Sequence, residues 1–483
     1  MKIVALLSKL VLGLTLALSL TAGADSLTAN VTSVRLESCG PSSVRSKCLK
    51  DWTVLVYMAV DTDMIPYAWL DLYEMEAGYE SGKKLAGSTA KSDVLVELNS
   101  VDSPDAERRQ IVQSTVSYSK SVYSRDLKSL DFAEIKSPVI ERVKKTANFQ
   151  SPATLAKNFE AFVRWGLEKY PARHTWVIYW GHGEGWQNTA DASAKVVQVV
   201  NVMSRPEPLR LKAALENALG STSSLPHARA HAPEKIDVFT ADSCFMQMAE
   251  VLTELSPFAR YVIGSSQVQS YAGLPYRRIL AELNGSTFGG ELRGGLSPTN
   301  DEAFALAKMI PTLMKQSISP GGLAYGLDRK ARAGFSINSV STDEMEHYLI
   351  PAMHGVSSAL AQALKADASL RADLGTLLSQ APHYAGSAPD MGAFLDLLSE
   401  WAQHLNESQK QPVVLSIERA KSALHRSVVN FAVGSDYPAG VRGLSLWVPG
   451  VTSEYDHQIG DYLKSRFYTL TEFNRWLKLT FMR

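Results

Sequence analysis

Cysteine is scarce in this chain, which has three, Cys39, Cys48 and Cys244, among 483 residues. This count excludes the disulfide-dense class of small secreted proteins. Charge of one sign is not in excess either, because 49 basic residues balance 49 acidic residues. A balanced chain lacks the basic footprint of a protein that wraps nucleic acid or coats an anionic membrane, so we expect neither as a partner. With 45% hydrophobic and 20% charged residues, the composition is that of an ordinary folded protein.

Long hydrophobic runs are also lacking, apart from one at the N-terminus. Lys2 and Lys9 precede an apolar stretch at 10–20, and small residues at 22–24 offer a cleavage site. This pattern is typical of a secretory signal peptide. A membrane anchor is the alternative, but the stretch is shorter than the roughly 18 residues that favour a span. We expect residues 1–24 to be removed on export to a periplasm or the medium, and no membrane span in the mature form.

Export places the cysteines in an oxidising compartment. Cys39 and Cys48 are separated by a short segment and can close one disulfide. Cys244 would then have no cysteine to pair with. An unpaired thiol in such a protein is either a buried hydrophobe or a reactive group. Residues 25–50 are either a disulfide-closed N-terminal segment or a propeptide.

Apolar runs rich in β-formers alternate with helical patterns along the chain. We predict strands at 52–60, 93–98, 110–117, 175–180, 236–240, 261–264, 428–433 and 443–448. We predict helices at 153–170, 209–219, 302–316, 343–364 and 390–404. This alternation predicts an α/β fold with a mainly parallel sheet flanked by helices on both faces. Loop-like compositions at 187–234 and 285–300 suggest a core at 51–290 and a C-terminal α/β extension at 291–483 as a supporting region.

One histidine follows a predicted strand directly. His182 lies in the segment GHGEG at 181–185, immediately after the strand that ends at Trp180. In a parallel sheet, catalytic groups gather beyond the carboxyl ends of the strands, and a glycine-flanked turn lets the backbone approach a substrate. The alternative is a tight turn that happens to contain a histidine.

Cys244 repeats this arrangement after the strand at 236–240. The pattern that follows predicts a helix, so we expect the thiol at a helix N-terminus, where free N–H groups favour a thiolate. A buried cysteine that anchors the helix is the alternative. Because one strand-end loop carries a histidine and another the unpaired cysteine, we favour a Cys/His pair.

Three aspartates lie near these strand ends. Asp242 precedes Cys244 by two positions and would line a pocket for a cationic substrate side chain. The alternative is that either Asp242 or Ser243 caps the helix. Asp61 and Asp63 follow the first strand and are interpreted as turn formers. Rival chemistries lack their signatures, because the chain has no G-x-S-x-G, P-loop, G-x-G-x-x-G, H-E-x-x-H or C-x-x-C motif.

Four segments together resemble a known family. They are WTVLVYMAVDTDM at 52–64, SPATLAKNFEAFVRWGLEKYPARHTWVIYWGHGEGW at 151–186, IDVFTADSCFMQMAEVLTEL at 236–255 and YVIGSSQVQSYAGLPY at 261–276. The chain resembles the clostripain-type cysteine peptidases, which are related to gingipains, legumain, caspases and separase. The resemblance implies a caspase-like fold, with His182 matching the catalytic histidine, Cys244 the nucleophile, and Asp242 an acid associated with preference for Arg or Lys.

The resemblance implies further properties. In some members the connection between the histidine and the cysteine is cut autocatalytically, and basic residues in this connection are Lys195, Arg205, Arg210, Lys212 and Arg229. Calcium is possible by resemblance, but no motif supports a calcium site, so we expect no cofactor. The sequence departs from the family pattern beside the matched histidine, at Gly181, and beside the matched cysteine, at Ser243 and Phe245. Ser266 and Gln267 stand where the family has an acidic pair.

Together these observations predict an exported cysteine endopeptidase that acts on protein or peptide substrates. His182 and Cys244 would form the dyad, and the backbone N–H groups of Gly183 and Cys244 would hold the oxyanion of the acyl-transfer step. Two alternatives stay open. One is a catalytically inactive exported binding or scaffold protein, and the other is a transpeptidase that passes the acyl group to an amine.

Overall fold

The structure is a computed structural model. It describes residues 37–38, 48–76, 86–113, 135–146, 151–186, 208–222, 234–270, 272–285, 301–322, 324, 332–379, 383–385, 388–437 and 441–481. Residues Leu36–Arg483 form one compact unit. The proposed signal peptide, the side chains of the proposed Cys39–Cys48 disulfide and most of the connection at 187–234 lie outside the described residues.

A single large sheet organises this unit. Its strands are β1 (Glu37–Ser38), β2 (Cys48–Val60), β3 (Ser92–Ser100), β4 (Asp105–Gln110), β5 (Val139–Lys144), β6 (Ala172–Trp180), β7 (Ile236–Asp242), β8 (Ala259–Gly264), β9 (Ser336–Ser341) and β12 (Val428–Val433); β10 (His383–Ala385) and β11 (Ala388–Pro389) form a separate pair. The order across the sheet is β12-β9-β8-β7-β6-β2-β3-β4-β5, with β1 beside β2. Strands β3, β2, β6, β7 and β8 are parallel, which confirms the mainly parallel sheet.

The outer strands differ from the prediction. The strand expected at 110–117 is misplaced, because β4 covers Asp105–Gln110 and pairs antiparallel with β3. Residues 111–113 lie in no strand, and residues 114–117 lie outside the described residues. The polar residues of β4 are accommodated by ion pairing, since Arg108 Nε donates to Glu97 Oε2 of β3 at 2.8 Å. The strand expected at 443–448 is wrong, because that segment makes only isolated bridges at Ser445.

Helices cover both faces of the sheet. They are α1 (Ile65–Glu76), α2 (Pro152–Lys169), α3 (Pro208–Thr222), α4 (Ala249–Leu255), α5 (Tyr276–Asn284), α6 (Glu302–Ile318), α7 (Ile350–Ala366), α8 (Leu370–Ser379), α9 (Met391–Ala402), α10 (Glu407–Ser427), α11 (Thr452–Tyr462), α12 (Arg466–Thr471) and α13 (Asn474–Phe481). All five predicted helices are present, although the one expected at 343–364 begins as a short helical turn and a π-helical stretch before α7. No described helix is long and apolar enough to cross a bilayer.

Alternate side chains of the buried strands pack into two separate hydrophobic cores, one on each face of the sheet. Leu55 and Tyr57 of β2 pack in one core with Phe159 of α2, whereas Val54 and Val56 pack in the other with helices such as α6. Because side chains alternate across a strand, a strand that is apolar at every position must be covered on both faces. This explains why the central strands read as unbroken apolar runs in the sequence.

The C-terminal residues extend the same sheet and reach α4. Strands β9 and β12 continue the sheet beyond β8. The main-chain N–H of Trp447 donates to Oε1 of the buried Glu250 at 2.9 Å, and the N–H of Ala249 donates to the carbonyl of Ser445 at 2.8 Å. The segment around Ser445 therefore supports the helix that follows the Cys244 loop.

Glu250 should make stability depend on pH. Burial raises the pKa of Glu250 to about 7, although the hydrogen bond from the Trp447 N–H lowers it. The folded chain therefore holds a proton that the unfolded chain has released, so the free energy of unfolding falls as pH rises from about 4.5 to about 7. Glu250→Gln keeps the acceptor and cannot ionise. We expect this variant to gain at most about 3 kcal/mol at about pH 8 and nothing near pH 4, measured by urea unfolding.

A matched control for this substitution is Glu418→Gln, which removes an exposed carboxylate that pairs with Lys421. We expect the control to change the free energy of unfolding by less than about 0.5 kcal/mol at either pH. An equal effect of Glu250→Gln at both pH values would contradict the assigned ionisation of Glu250.

Candidate active site

The loops that carry His182 and Cys244 lie side by side. Strands β6 and β7 are parallel neighbours in which Trp180 is opposite Asp242, so each functional residue follows its strand by two positions. The N–H of Gly181 donates to the carbonyl oxygen of Asp242 at 3.3 Å. The sheet therefore brings the histidine and cysteine loops together at its carboxyl edge.

Gly183 forms the closest approach between these loops. A Cβ at this position would collide with the carbonyl oxygen of Cys244 and would lie 2.9 Å from Cβ of Ser243. Only glycine lets the two backbones come this close. The N–H of Gly183 donates to no group among the described residues, so it can serve a substrate oxygen.

Cys244 does not lie at a helix N-terminus, which corrects the sequence prediction. Helix α4 begins at Ala249, and Met248 is its N-cap residue. Phe245 has a φ of 58°, a left-handed conformation that is rare for a bulky side chain and that turns the chain directly after the cysteine. The N–H groups of Phe245 and Gln247 then donate to the loop after β8, to the carbonyls of Gln267 and Ser265, so residues 245–247 pair with that loop and are not helical.

A main-chain donor takes the role that the helix was expected to play. The N–H of Gln269 donates to the sulfur of the half-buried Cys244 at 3.3 Å. A donor directed at sulfur favours the thiolate over the thiol. No pattern in the sequence indicated this contact, because it depends on how the loop after β8 folds against residues 245–247.

Two aspartates from the end of β2 approach His182. Nε2 of His182 lies 3.1 Å from Oδ1 of Asp63 and 3.8 Å from Oδ2 of Asp61. The interpretation of Asp61 as a turn former is confirmed, since its side chain accepts the N–H of Thr62 at 2.6 Å. Their contacts with the histidine were not predicted. A signal was available, because β2 and β6 are parallel neighbours whose carboxyl ends must meet.

Replacing Asp63 tests this contact. Asp63→Asn keeps an oxygen acceptor for the ring but removes the charge. A charge-assisted hydrogen bond exceeds a neutral one by about 1 kcal/mol, so we expect kcat/KM to fall about fivefold. Asp461→Asn is the matched control, since it removes an exposed carboxylate that pairs with Lys464 in the C-terminal region. Equal kcat/KM for Asp63→Asn and the parent would show that the carboxylate does not assist the histidine.

These three side chains do not fit calcium. Among the described residues, Asp61, Asp63 and His182 form the one group whose ligand atoms, all within 4.8 Å of one another, could hold a metal ion. Calcium takes six to eight oxygen ligands, whereas this set offers two carboxylates and an imidazole nitrogen. We interpret the carboxylates as partners of the histidine ring.

Asp242 lies buried beside the cysteine loop. Its Oδ1 accepts Nε2 of Gln269 at 3.0 Å, and its Oδ2 accepts the hydroxyl of Tyr276 at 2.8 Å and the N–H of Leu274 at 3.2 Å. Burial raises the pKa of Asp242, while these hydrogen bonds lower it. The alternative role as a helix cap is wrong for Asp242 and for Ser243, because α4 has no side-chain cap.

This arrangement has the parts of an acyl-transfer site. It combines a partly exposed thiol with a donor on its sulfur, an imidazole held by carboxylates and a main-chain N–H open to a substrate oxygen. Residues 56–290 match the family model described as the clostripain family. The chain belongs to the clostripain family. It is therefore a cysteine peptidase, as the sequence predicted.

Solved structures agree with this clostripain fold. A secreted C11 cysteine protease from Bacteroides thetaiotaomicron, in complex with an irreversible peptide inhibitor, has 18% identity and a TM-score of 0.56 and covers 88% of this chain and 99% of its own. An inactive zymogen C11 protease from Parabacteroides distasonis has 17% identity and a TM-score of 0.54. The match covers 88% of this chain and 98% of the zymogen's chain. At these identities the likeness establishes the fold. A search of curated proteins found no match.

Proposed function

We propose that this clostripain-family peptidase is an exported endopeptidase that cleaves after Arg or Lys through a dyad of His182 and Cys244. The observation that carries the proposal is the contact between the two strand-end loops, in which Gly183 packs against the Cys244 carbonyl. The partial exposure of Cys244 supports it, because a sulfur sealed under hydrocarbon could not reach a substrate.

The proton pathway follows from the contacts of the histidine. Because Nε2 of His182 faces Asp63, we assign Nδ1 to exchange a proton with the thiol. The thiolate attacks the peptide carbonyl, the imidazolium protonates the leaving amine, and water then hydrolyses the acyl-enzyme. The N–H of Gly183, with that of Cys244, would stabilise the oxyanion.

The preference for a basic side chain rests on Asp242. Asp242 is a buried carboxylate beside the nucleophile. The ammonium or guanidinium group of a substrate side chain would compensate its negative charge and pair with it. One acceptor position remains on this carboxylate, because three of its roughly four lone-pair sites are used by Gln269, Tyr276 and Leu274.

Export and self-processing complete the proposal. The N-terminal pattern at 1–24 supports export, and one solved relative is named a secreted protease. Another is named a zymogen, which makes activation by a cut between 187 and 234 our expectation for this chain. Arg210 and Lys212 are unfavourable cut sites because they lie within α3, so we place the cut at Lys195, Arg205 or Arg229.

An irreversible probe tests the proposed nucleophile. We expect a peptide acyloxymethyl ketone that ends in Arg to label the mature chain once, on Cys244, and the same probe ending in a neutral residue to label it more slowly. Intact and peptide mass spectrometry would locate the adduct. Labelling on another residue would reject Cys244 as the nucleophile, and no labelling with either probe would favour an inactive scaffold.

A further inference from the structure

A second buried carboxylate lies near Asp242. Asp71, from α1, is fully buried, and its Oδ2 accepts Nε1 of Trp180 at 2.7 Å. Its other oxygen, Oδ1, has no hydrogen-bond partner among the described residues. An unpartnered buried carboxylate oxygen is costly, so its presence beside a binding residue calls for a functional explanation.

Gly273 brings the two carboxylates together. A Cβ at this glycine would lie 2.7 Å from Oδ2 of Asp71 and 3.2 Å from Oδ2 of Asp242, so both oxygens face the same Cα. Its φ of +58° is a conformation that glycine adopts without strain. Any side chain here would collide with the carboxylate of Asp71 and crowd that of Asp242.

Two buried carboxylates that both face one glycine oppose each other's ionisation unless a cation compensates their charge. Burial raises the pKa of Asp71 well above its usual range, the negative charges of Glu74 and Asp242 raise it further, and the Trp180 hydrogen bond lowers it. Besides Trp180, the polar groups bonded to the pair are Gln269, Leu274 and Tyr276, which all donate to Asp242. Glu74 accepts the main-chain N–H of the buried Arg277 at 3.4 Å.

Building on the proposed preference for basic substrates, we propose that Asp71 is a positioning residue that shares one proton with Asp242 in the free peptidase. Entry of a cationic substrate side chain beside Oδ1 of Asp242 expels this proton to solvent. The incoming positive charge replaces the departing one, so the net charge of the pocket is unchanged. Recognition of Arg or Lys is thus coupled to proton release, whereas binding of a neutral side chain is not.

Proton release can be counted without turnover. The Cys244→Ala chain would be titrated calorimetrically near pH 7 with arginine amide in two buffers that differ in ionisation enthalpy, and citrulline amide would serve as the neutral probe of similar shape. We expect about half to one proton released per arginine amide and none with citrulline amide. Binding of arginine amide without proton release would overturn the proposal, and this readout needs no substitution of Asp71.

Substitutions then assign the proton to the pair. In the Cys244→Ala background, Asp71→Asn keeps an acceptor for Trp180, and we expect it to abolish proton release. Asn leaves Asp242 to ionise alone, so arginine amide should bind about fivefold more weakly than to the background protein near pH 8 and at least as tightly near pH 5.5. Unchanged proton release in Asp71→Asn would refute the role of Asp71. Asp396→Asn, which removes an exposed carboxylate that pairs with Lys421, is the matched control and should behave as the background protein does.

Asp242→Asn separates this inference from the proposed function. We expect it to reduce arginine amide binding about tenfold and citrulline amide binding little. If Asp242→Asn changes neither probe, the proposed basic preference fails and the inference fails with it. If Asp242→Asn weakens arginine amide while Asp71→Asn leaves the pH dependence unchanged, the preference stands and only the inference is rejected.

Discussion

Cleavage of an arginyl reporter peptide is expected to fall by about 10⁴-fold or more when Cys244 is replaced by alanine, because removing a nucleophile eliminates the covalent pathway. We expect alanine to leave the fold intact, since the cysteine is only half-buried and the donor to its sulfur is a main-chain N–H. His182→Ala should have a loss of similar size, since residues that act as a unit have non-additive effects. The double variant should therefore lose little more than either single variant.

His174→Gln is the matched control for the histidine substitution. His174 lies near the start of β6, the strand after which His182 follows, and it contacts Asp237 at the opposite edge of the sheet. We expect this variant to keep kcat/KM within about threefold of the parent, because it acts only on stability. Activity retained in Cys244→Ala, measured in chain purified free of other peptidases, would remove Cys244 from the mechanism and with it the proposed dyad.

The location of the site could be predicted because the carboxyl ends of neighbouring parallel strands must lie close together. The apolar runs that became β6 and β7 also identify which residues follow each strand, and the carboxyl ends of parallel neighbours share one edge. Those two facts place His182 near Cys244 without any knowledge of side-chain contacts. The outer strands carry no such signal, since β4 is polar and is stabilised by the pairing of Arg108 with Glu97.

The details around the sulfur could not be predicted, because they depend on contacts distant in sequence. The pattern of apolar residues after Cys244 is helical, yet residues 245–247 bond to the loop after β8 and the helix begins only at Ala249. Tertiary hydrogen bonds therefore override local propensity. Asp71 was missed for a related reason: on α1 it reads as an ordinary helix residue, and only Gly273 places it against Asp242.

Gly183→Ala is expected to reduce kcat/KM by about 10²- to 10³-fold, although alanine adds only a methyl group. The added Cβ would collide with the Cys244 carbonyl and would lie 3.0 Å from Cγ of Met246, so the two loops must separate. Separation moves the Gly183 N–H away from the substrate oxygen, and losing one such donor raises the barrier by about 2.7–4 kcal/mol. The thiol itself remains, so iodoacetamide should still alkylate Cys244.

Gly355→Ala in α7 is the matched control for this substitution, because a Cβ at that glycine would meet nothing within 4 Å. Alanine is favoured over glycine in a helix interior by up to about 1 kcal/mol, so this variant should be as active as the parent and slightly more stable. Full activity in Gly183→Ala would mean that the loops tolerate a side chain at their contact, and the oxyanion would then have to be stabilised by donors elsewhere. A loss confined to KM would likewise contradict the assignment, because an oxyanion donor acts on the transition state and lowers kcat.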